Sequence, residues 1–294
     1  MRTDTLDGTT LEKLISAAVA APACHSRRPW RYRLDPDTAT LHVRGVGAED
    51  HPPDAAGEDA LRAVHVSVGA ALFNLRVAVT HFGWEPQVRL LPSPDDPGLY
   101  ATVRLTAPAR APEASRADLY GALWSRRDGA PSWPVHRPPG GVVLGLVDAA
   151  HAEGAALSLP HAAETRRLLR LTEDADRRGA ADGVAVRWPP VDEPPSAPGD
   201  GRFPLVAVLT TPLDDPADWL RAGQALEHVL LAAAAQRVRA ALLHQALDYP
   251  DLRRALRSAE SGPGHVQMLV RLGYGPLRPG TAPRGPGHAV AAVN

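Results

Sequence analysis

The sequence predicts an α+β protein built as two fused lobes, each organised on one long apolar helix. Three observations carry this expectation. Residues 58–82 hold an apolar series of helical period, Leu61, Val64, Val68, Leu72, Leu75 and Val79, widened by Val66, Ala70, Phe73 and Val77. A helix apolar on most sides is buried between two layers. Residues 216–240 hold a second such series, Leu220, Gly223, Leu226, Leu230, Ala233 and Ala234, and strand-length apolar runs lie near both. No exact repeat is visible, yet two such stretches suit two related lobes packed across their long helices. Gly69, Ala70 and Ala71 form a small-residue patch that lets another helix come close.

The first helix is marked by Leu11, Leu14, Ile15, Ala18 and Val19, with Thr9 and Glu12 spaced as a capping box. Pro22 stops it, because the residue before a proline is pushed out of the α region. Strands are expected at 30–34 and 40–44 around the turn Asp35-Pro36-Asp37. After the long helix, Gly83 is the stop, and 88–91 and 99–105 read as a strand pair. Residues 106–116 read as a linker, and the expected lobes are 1–110 and 111–294. Helices are expected at 117–127, 142–149 and 162–179, and the proline-rich stretch 188–204 is a loop or lid. The run 205–209 reads as a central buried strand. Asp215 is the expected cap of the second long helix, with Pro216 at its first position. A strand at 241–245, a short helix at 251–258 and a half-buried strand alternating Val266, Met268, Val270 and Leu272 with His265, Gln267 and Arg271 complete the chain.

Composition narrows the function. With 294 residues, 44% of them hydrophobic, the chain can bury a large core. Its 32 basic and 33 acidic residues give a net charge of -1. No basic block points to nucleic acid. Lys13 is the only lysine, a bias that fits high-GC genomes. Cys24 is the only cysteine, so no internal disulfide forms and a reducing cytoplasm is expected. No signal-like segment opens the chain, and no membrane association is expected.

Several chemistries lack their residues. There is no H-E-x-x-H and no cysteine pair for zinc, and no Walker loop, G-x-S-x-G or G-x-G-x-x-G. His161 and Glu164, three apart, read as a solvated helix face. No metal is expected.

Four segments resemble the nitroreductase superfamily. APACHSRRPWRY, residues 21–32, is similar to the helix-to-strand turn A-P-S-x-x-N-x-Q-P-W-x-F, with Pro22, Pro29 and Trp30 in place and Ala23, Ser26 and Arg28 substituting Ser, Asn and Gln. SVGAALFNLR (67–76), WLRAGQALEHVLL (219–231), and QALDYPDLRR with QMLVRLGYG (245–254 and 267–275) are similar to the single-chain, two-lobed, actinobacterial Acg-type branch.

The resemblance implies a nitroreductase-like fold in which one chain forms an internal pseudo-dimer around FMN. It implies NAD(P)H as transient reductant and a small electron-poor molecule, such as a nitroaromatic or quinone, as acceptor. The implied cofactor-binding residues are Pro22, Ala23, Ser26, Arg28, Arg126, Arg127, Gln245 and Arg284. Arg126 and Arg127 match the start of a phosphate-anchoring R-R-[ST]-x-R stretch, in which Asp128 takes the hydroxyl position and Ala130 the third arginine. Arg284 is what remains of a C-terminal P-R-R-P. Arg27 and Arg28 either bring charge to the flavin or are surface arginines. Cys24 is a buried thiol or faces the flavin, and Gln245 is a flavin-edge contact at a strand end or a structural hydrogen bond. No catalytic proton donor stands out. The alternative is a non-catalytic member that stores flavin, or has lost it and serves as a ligand-binding or interaction protein. Either form is expected as a monomeric pseudo-dimer or a homodimer.

Overall fold

The computed structural model describes residues 6–22, 30–45, 58–107, 114–125, 136–181, 205–257 and 264–274. The first lobe runs α1 (Gly8–Val19), β1 (Trp30–Asp35), β2 (Thr40–Gly45), α2 (Glu58–His81), β3 (Glu85–Leu90) and β4 (Leu99–Thr106). The second runs α4 (Gly140–Ala152), β5 (Ala156–Ser158), α5 (Ala162–Ala181), β6 (Leu205–Thr211), α6 (Pro216–Ala235), β7 (Arg239–Leu243), a 3₁₀ turn (Gln245–Asp248), α7 (Pro250–Ala255) and β8 (His265–Gly273). Between them lies α3 (Ala114–Ser125). Each lobe carries one antiparallel four-stranded sheet, ordered β1-β2-β4-β3 and β5-β6-β8-β7. Strand for strand the two orders are the same.

Local chemistry sets most boundaries. Asp7, not Thr9, caps α1: its carboxylate accepts from the Thr10 N–H at 2.6 Å, so Thr9 already lies in the first turn. Asp35 closes the β1–β2 turn, accepting from the Asp37 N–H at 3.1 Å and the Thr38 hydroxyl at 2.7 Å. Asp215 caps α6 through the Asp218 N–H at 2.8 Å, with Pro216 at the first helical position.

The α2 and α6 helices end alike. Gly83, at φ 93°, and Arg237, at φ 58°, are the left-handed residues. In each case the next N–H reaches back five residues, Trp84 to Val79 and Val238 to Ala233. This is the Schellman geometry. It stops α6 at 235 rather than 240 and starts β7 at Arg239, before the expected 241. Arginine stands where glycine usually does, so the stop leaves no mark in the sequence.

The lobes meet where α2 crosses α6. A Cβ on Gly69 would lie 2.1 Å from the Leu220 carbonyl, and one on Gly223 would lie 2.0 Å from the Val66 carbonyl. Backbone therefore touches backbone. One offset separates Gly69 from Gly223, Gly83 from Arg237 and Glu85 from Arg239. It also superimposes Ala71-Leu72 on Ala225-Leu226, so the two helix–strand units correspond residue by residue. The segment Ala60–His81 is long and apolar enough to span a membrane, but 83% of that window is buried inside the protein.

Two cores flank the crossing. The first joins Leu14 and Ala17 of α1, Phe73 and Leu75 of α2, Val43 of β2 and Val103 of β4, and it takes Leu220 and Leu231 from α6. Leu119, Ala122 and Leu123 of α3 also join it, although α3 follows residue 110 in the chain. The second core joins α4, α6 and the second sheet, and it takes Val66 from α2. Here α5, the 3₁₀ turn and α7 add Leu168, Ala175, Leu247, Leu252 and Leu256. They have no counterpart in the first lobe, where β1–β2 and β3–β4 are joined by short turns. β8 is buried on both faces, Gln267 included, rather than half-buried as its alternation suggests.

The crossing leaves no room for a side chain. Gly69→Ala or Gly223→Ala is expected to destabilise the protein by about 1–3 kcal/mol or more, because overpacking forces the helices apart. Gly121→Ala, in α3 with open space around its Cβ, is expected to be neutral or slightly stabilising. Urea unfolding of the three variants measures the difference.

Candidate functional site

Two of the eight expected pocket residues fall within the described residues. Pro22 is half-buried just past the end of α1. Gln245 opens the 3₁₀ turn, two residues beyond β7, and so is not at a strand end. Burial pushes the carboxyl of Asp176 on α5 up, and the Gln245 carboxamide acts against that rise. Gln245 Oε1 is buried with no hydrogen-bond partner among the described residues. Ala23, Ser26, Arg28, Arg126, Arg127 and Arg284 lie outside the described residues, as do Cys24, Arg27, Asp128, Ala130 and the stretch 188–204. The last residue of α3, Ser125, leads directly into Arg126.

The motif segments converge instead on two buried polar clusters at the lobe seam. The first surrounds Arg76, the last residue of SVGAALFNLR. Its Nη1 donates to Glu153 Oε2 at 2.5 Å and to Gln224 Oε1 at 2.9 Å. Glu153 caps the C-terminal end of α4, and Gln224 lies on α6. His228, one turn further along α6, brings Nδ1 to 3.4 Å from Glu153 Oε1, a contact not aligned as a hydrogen bond. The His228 ring stacks on Phe73 of α2, centroids 4.6 Å apart at 24°, and the Arg76 guanidinium lies 5.4 Å from the same ring. Burial pushes the Glu153 carboxyl up, but His228 and Arg76 outweigh it and hold the group below the usual carboxylate range.

The second cluster centres on Asp214, in the turn before α6. Its carboxylate accepts from Trp219 Nε1 at 2.7 Å, from Gln267 Nε2 at 3.0 Å and from Arg253 Nη2 at 2.6 and 2.5 Å. His265 Nδ1 stands 3.5 Å away. Gln267 Nε2 also donates to Thr211 Oγ1 at 2.9 Å, and the Gln267 backbone carbonyl accepts from the buried Arg62 of α2 at 3.0 Å. The Trp219 ring meets His65 edge-on at 5.6 Å, and His65 meets Tyr100 of β4 at 4.9 Å. A polar and aromatic chain thus runs from one sheet to the other. Burial raises the Asp214 carboxyl, and the bonds from Trp219, Gln267 and Arg253 bring it net below its ordinary value.

The sequence gives no hint of Asp214, Glu153 or His228, because their partners lie far away along the chain. His161 does not form a solvated pair with Glu164. Its Nδ1 accepts from the Ala163 and Glu164 N–H groups, at 3.2 and 3.3 Å, as α5 begins. Glu164 is buried and held in a fork by Arg167 at 2.7 and 2.6 Å. Among the described residues no group of three or more His, Cys, Asp or Glu is placed to hold a metal ion. A surface concavity of about 370 Å³ on the β1–β2 hairpin, lined by Arg33, Asp35, Asp37 and His42 among others, contains none of the expected pocket residues.

No family model matches the chain. A Mycobacterium tuberculosis H37Rv protein named "Putative NAD(P)H nitroreductase" is 29% identical over 329 aligned positions, spanning 100% of this chain and 93% of the relative. An uncharacterised protein of the same organism is 26% identical across 96% of this chain. The M. tuberculosis protein named "Putative NAD(P)H nitroreductase acg" is 28% identical over 124 positions, 41% of this chain. Among solved structures, an FMN-bound nitroreductase from Bacteroides fragilis aligns at 15% identity with a TM-score of 0.39, covering 57% of this chain and 95% of that one. An FMN-bound nitroreductase from Desulfitobacterium hafniense aligns at 11% identity with a TM-score of 0.40. The full-length likeness is thus to proteins named as NAD(P)H nitroreductases. That likeness is consistent with an Acg-type nitroreductase.

Asp214 yields a pH test. A carboxylate depressed by its partners stabilises the fold above its ordinary value of 3.8, and that contribution is lost as pH falls through the folded value. Asp214→Asn is expected to cost about 1–3 kcal/mol at pH 7, from charge-assisted bonds lost. The gap from wild type should narrow below pH 4, as read by denaturant unfolding across pH.

Proposed function

We propose that the chain is an FMN-binding oxidoreductase of the nitroreductase type. The observation that carries this reading is full-length similarity to a protein named as an NAD(P)H nitroreductase, on a scaffold of two lobes with the same strand order. A homodimer of such lobes would place its site between subunits. Here α2 and α6 hold both lobes in one chain, an internal pseudo-dimer able to supply both walls of a single cleft.

The residues suit the cofactor in part. Gln245 Oε1, a buried acceptor lacking a donor among the described residues, would gain from a ligand N–H such as the flavin imide offers. Arg126, Arg127 and Arg284 would hold the phosphate with cationic forks. Pro22, Ala23 and Ser26 would shape the turn against the ring, and Arg28 would bring positive charge to its edge, favouring the reduced anion. Bound FMN would supply the hydride chemistry between NAD(P)H and a small electron-poor acceptor. The protein's share is to bind, orient and tune. This activity belongs in the cytoplasm, with the chain acting as a monomer or homodimer, without nucleic acid or membrane.

One observation favours a second reading, a non-catalytic flavin store or a ligand-binding protein without flavin. Asp128 and Ala130 stand where the resembling pattern has a hydroxyl and an arginine, and a carboxylate beside a phosphate repels it.

Natively purified protein mixed with FMN is expected to show a bound-flavin spectrum and quenched flavin fluorescence. Anaerobic NAD(P)H is then expected to bleach the spectrum. Binding without bleaching identifies a store, and no binding removes the flavin reading. Asp128→Thr combined with Ala130→Arg is expected to tighten FMN about tenfold or more, the size of one charge-assisted bond. Unchanged affinity would mean the phosphate sits elsewhere.

A further inference from the structure

The α1 and α4 helices open the two lobes, and their sequences align. Leu14-Ile15-Ser16-Ala17-Ala18 of α1 matches Leu146-Val147-Asp148-Ala149-Ala150 of α4. Leu14, Ala17 and Ala18 are buried, as are Leu146, Ala149 and Ala150. The inner faces therefore serve their lobes in the same way. The outer faces differ. On α1 the exposed positions ahead of the match include Thr9, Glu12 and Lys13, and the same register on α4 puts Gly141, Leu144 and Gly145 there, also exposed. Leu144 is 65% exposed, and Val143 and Val147 beside it are half-buried. Because α1 fills its place with a polar exterior, the fold does not require the apolar exterior of α4.

The two glycines point the same way. A Cβ on Gly141 or Gly145 would meet nothing within 4 Å, and neither residue has a positive φ. Neither is needed for its backbone conformation or for a neighbour among the described residues. Each weakens an exposed helix relative to alanine, and a glycine kept inside a helix usually has a packing reason. The crossing of Gly69 and Gly223 shows what that reason can be, since there the missing side chains admit another helix. On α4 the equivalent gap faces outward, with Leu144 standing next to it.

We propose that the outer face of α4 is an interface with a second copy of this chain. The face carries both a knob, Leu144, and a hole, the gap left by Gly141 and Gly145. In a two-fold pair each Leu144 fills the gap of the other copy, which is the self-complementarity an isologous interface requires. Charge sets the direction of the crossing. Exposed Arg137 precedes α4, and exposed Asp148 lies toward its other end. An antiparallel crossing over the glycine gap brings Asp148 of each copy toward Arg137 of the other. A parallel crossing sets like charges side by side. β5 packs along α4, and Leu159 just past it is 40% exposed, which widens the apolar surface on this flank. The contact is little more than one helix wide, at the small end of protein interfaces, so the dissociation constant is on the order of micromolar. The pairing goes beyond the flavin reading and does not depend on it.

The test is sedimentation velocity of the full chain from about 1 to about 100 µM, a range that brackets such a constant. The wild type is expected to pass from monomer to dimer. Leu144→Glu and Gly145→Gln are each expected to weaken the dimer by about tenfold or more. Gly121→Gln, at an open position on α3, is expected to leave it unchanged. Asp148→Arg is expected to weaken it, and adding Arg137→Asp to restore it. Thermal melting at the lowest concentration is expected to give the wild-type temperature for Leu144→Glu. A wild-type chain that stays monomeric throughout overturns the interface, as does a dimer that Leu144→Glu and Gly145→Gln leave intact. A lower melting temperature of Leu144→Glu, where the wild type is monomeric, means that the chain's own residues cover this face and overturns it as well.

Discussion

The structure depends on the contact between Gly69 and Gly223. At that point two helices approach until main chain meets main chain, and there is no space for even one methyl group. Close-packed interiors transmit such a constraint outward. With the crossing fixed, Phe73 meets His228, His65 meets Trp219, and Arg76 reaches Glu153 and Gln224. Each core then takes residues from the other lobe's long helix, Val66 in one direction and Leu220 and Leu231 in the other. The two lobes therefore share one interior.

Polar groups at the seam refine what the apolar contacts allow. A buried ion pair such as Arg76–Glu153 adds less to net stability than its short distance suggests, because both charges are taken out of water. Its value is directional. The guanidinium accepts only a narrow set of positions for Glu153 and Gln224, and the Asp214 carboxylate does the same for Trp219, Gln267 and Arg253. These clusters fix the angle between elements that hydrophobic burial alone would leave adjustable.

The elements legible in the sequence are those decided by neighbours along the chain. The α2 stripe, the Asp35 turn, the Asp215 cap and the small patch at Gly69 all announce themselves locally. The misses have long-range or unmarked causes. Arg237 ends α6 in a conformation that arginine does not advertise. Gln267 is buried because Thr211 and Asp214 hold its carboxamide inside, on a strand whose own pattern alternates. Glu153, His228 and Asp214 acquire meaning only from partners on other elements. The site divides in the same way. Resemblance named eight residues; the structure places Pro22 at a helix end and Gln245 in a 3₁₀ turn against Asp176.

The wrapping of α2 by both lobes has a consequence for biogenesis. The ribosome completes α2 well before α6 begins, a delay on the order of ten seconds at roughly 5–20 residues per second. Throughout that interval the nascent first lobe displays the greasy groove around Gly69 with nothing to cover it. The same stretch is apolar enough to be mistaken for a membrane span. A folding helper that shields this groove until the second half emerges would prevent the emerging chains from sticking to one another.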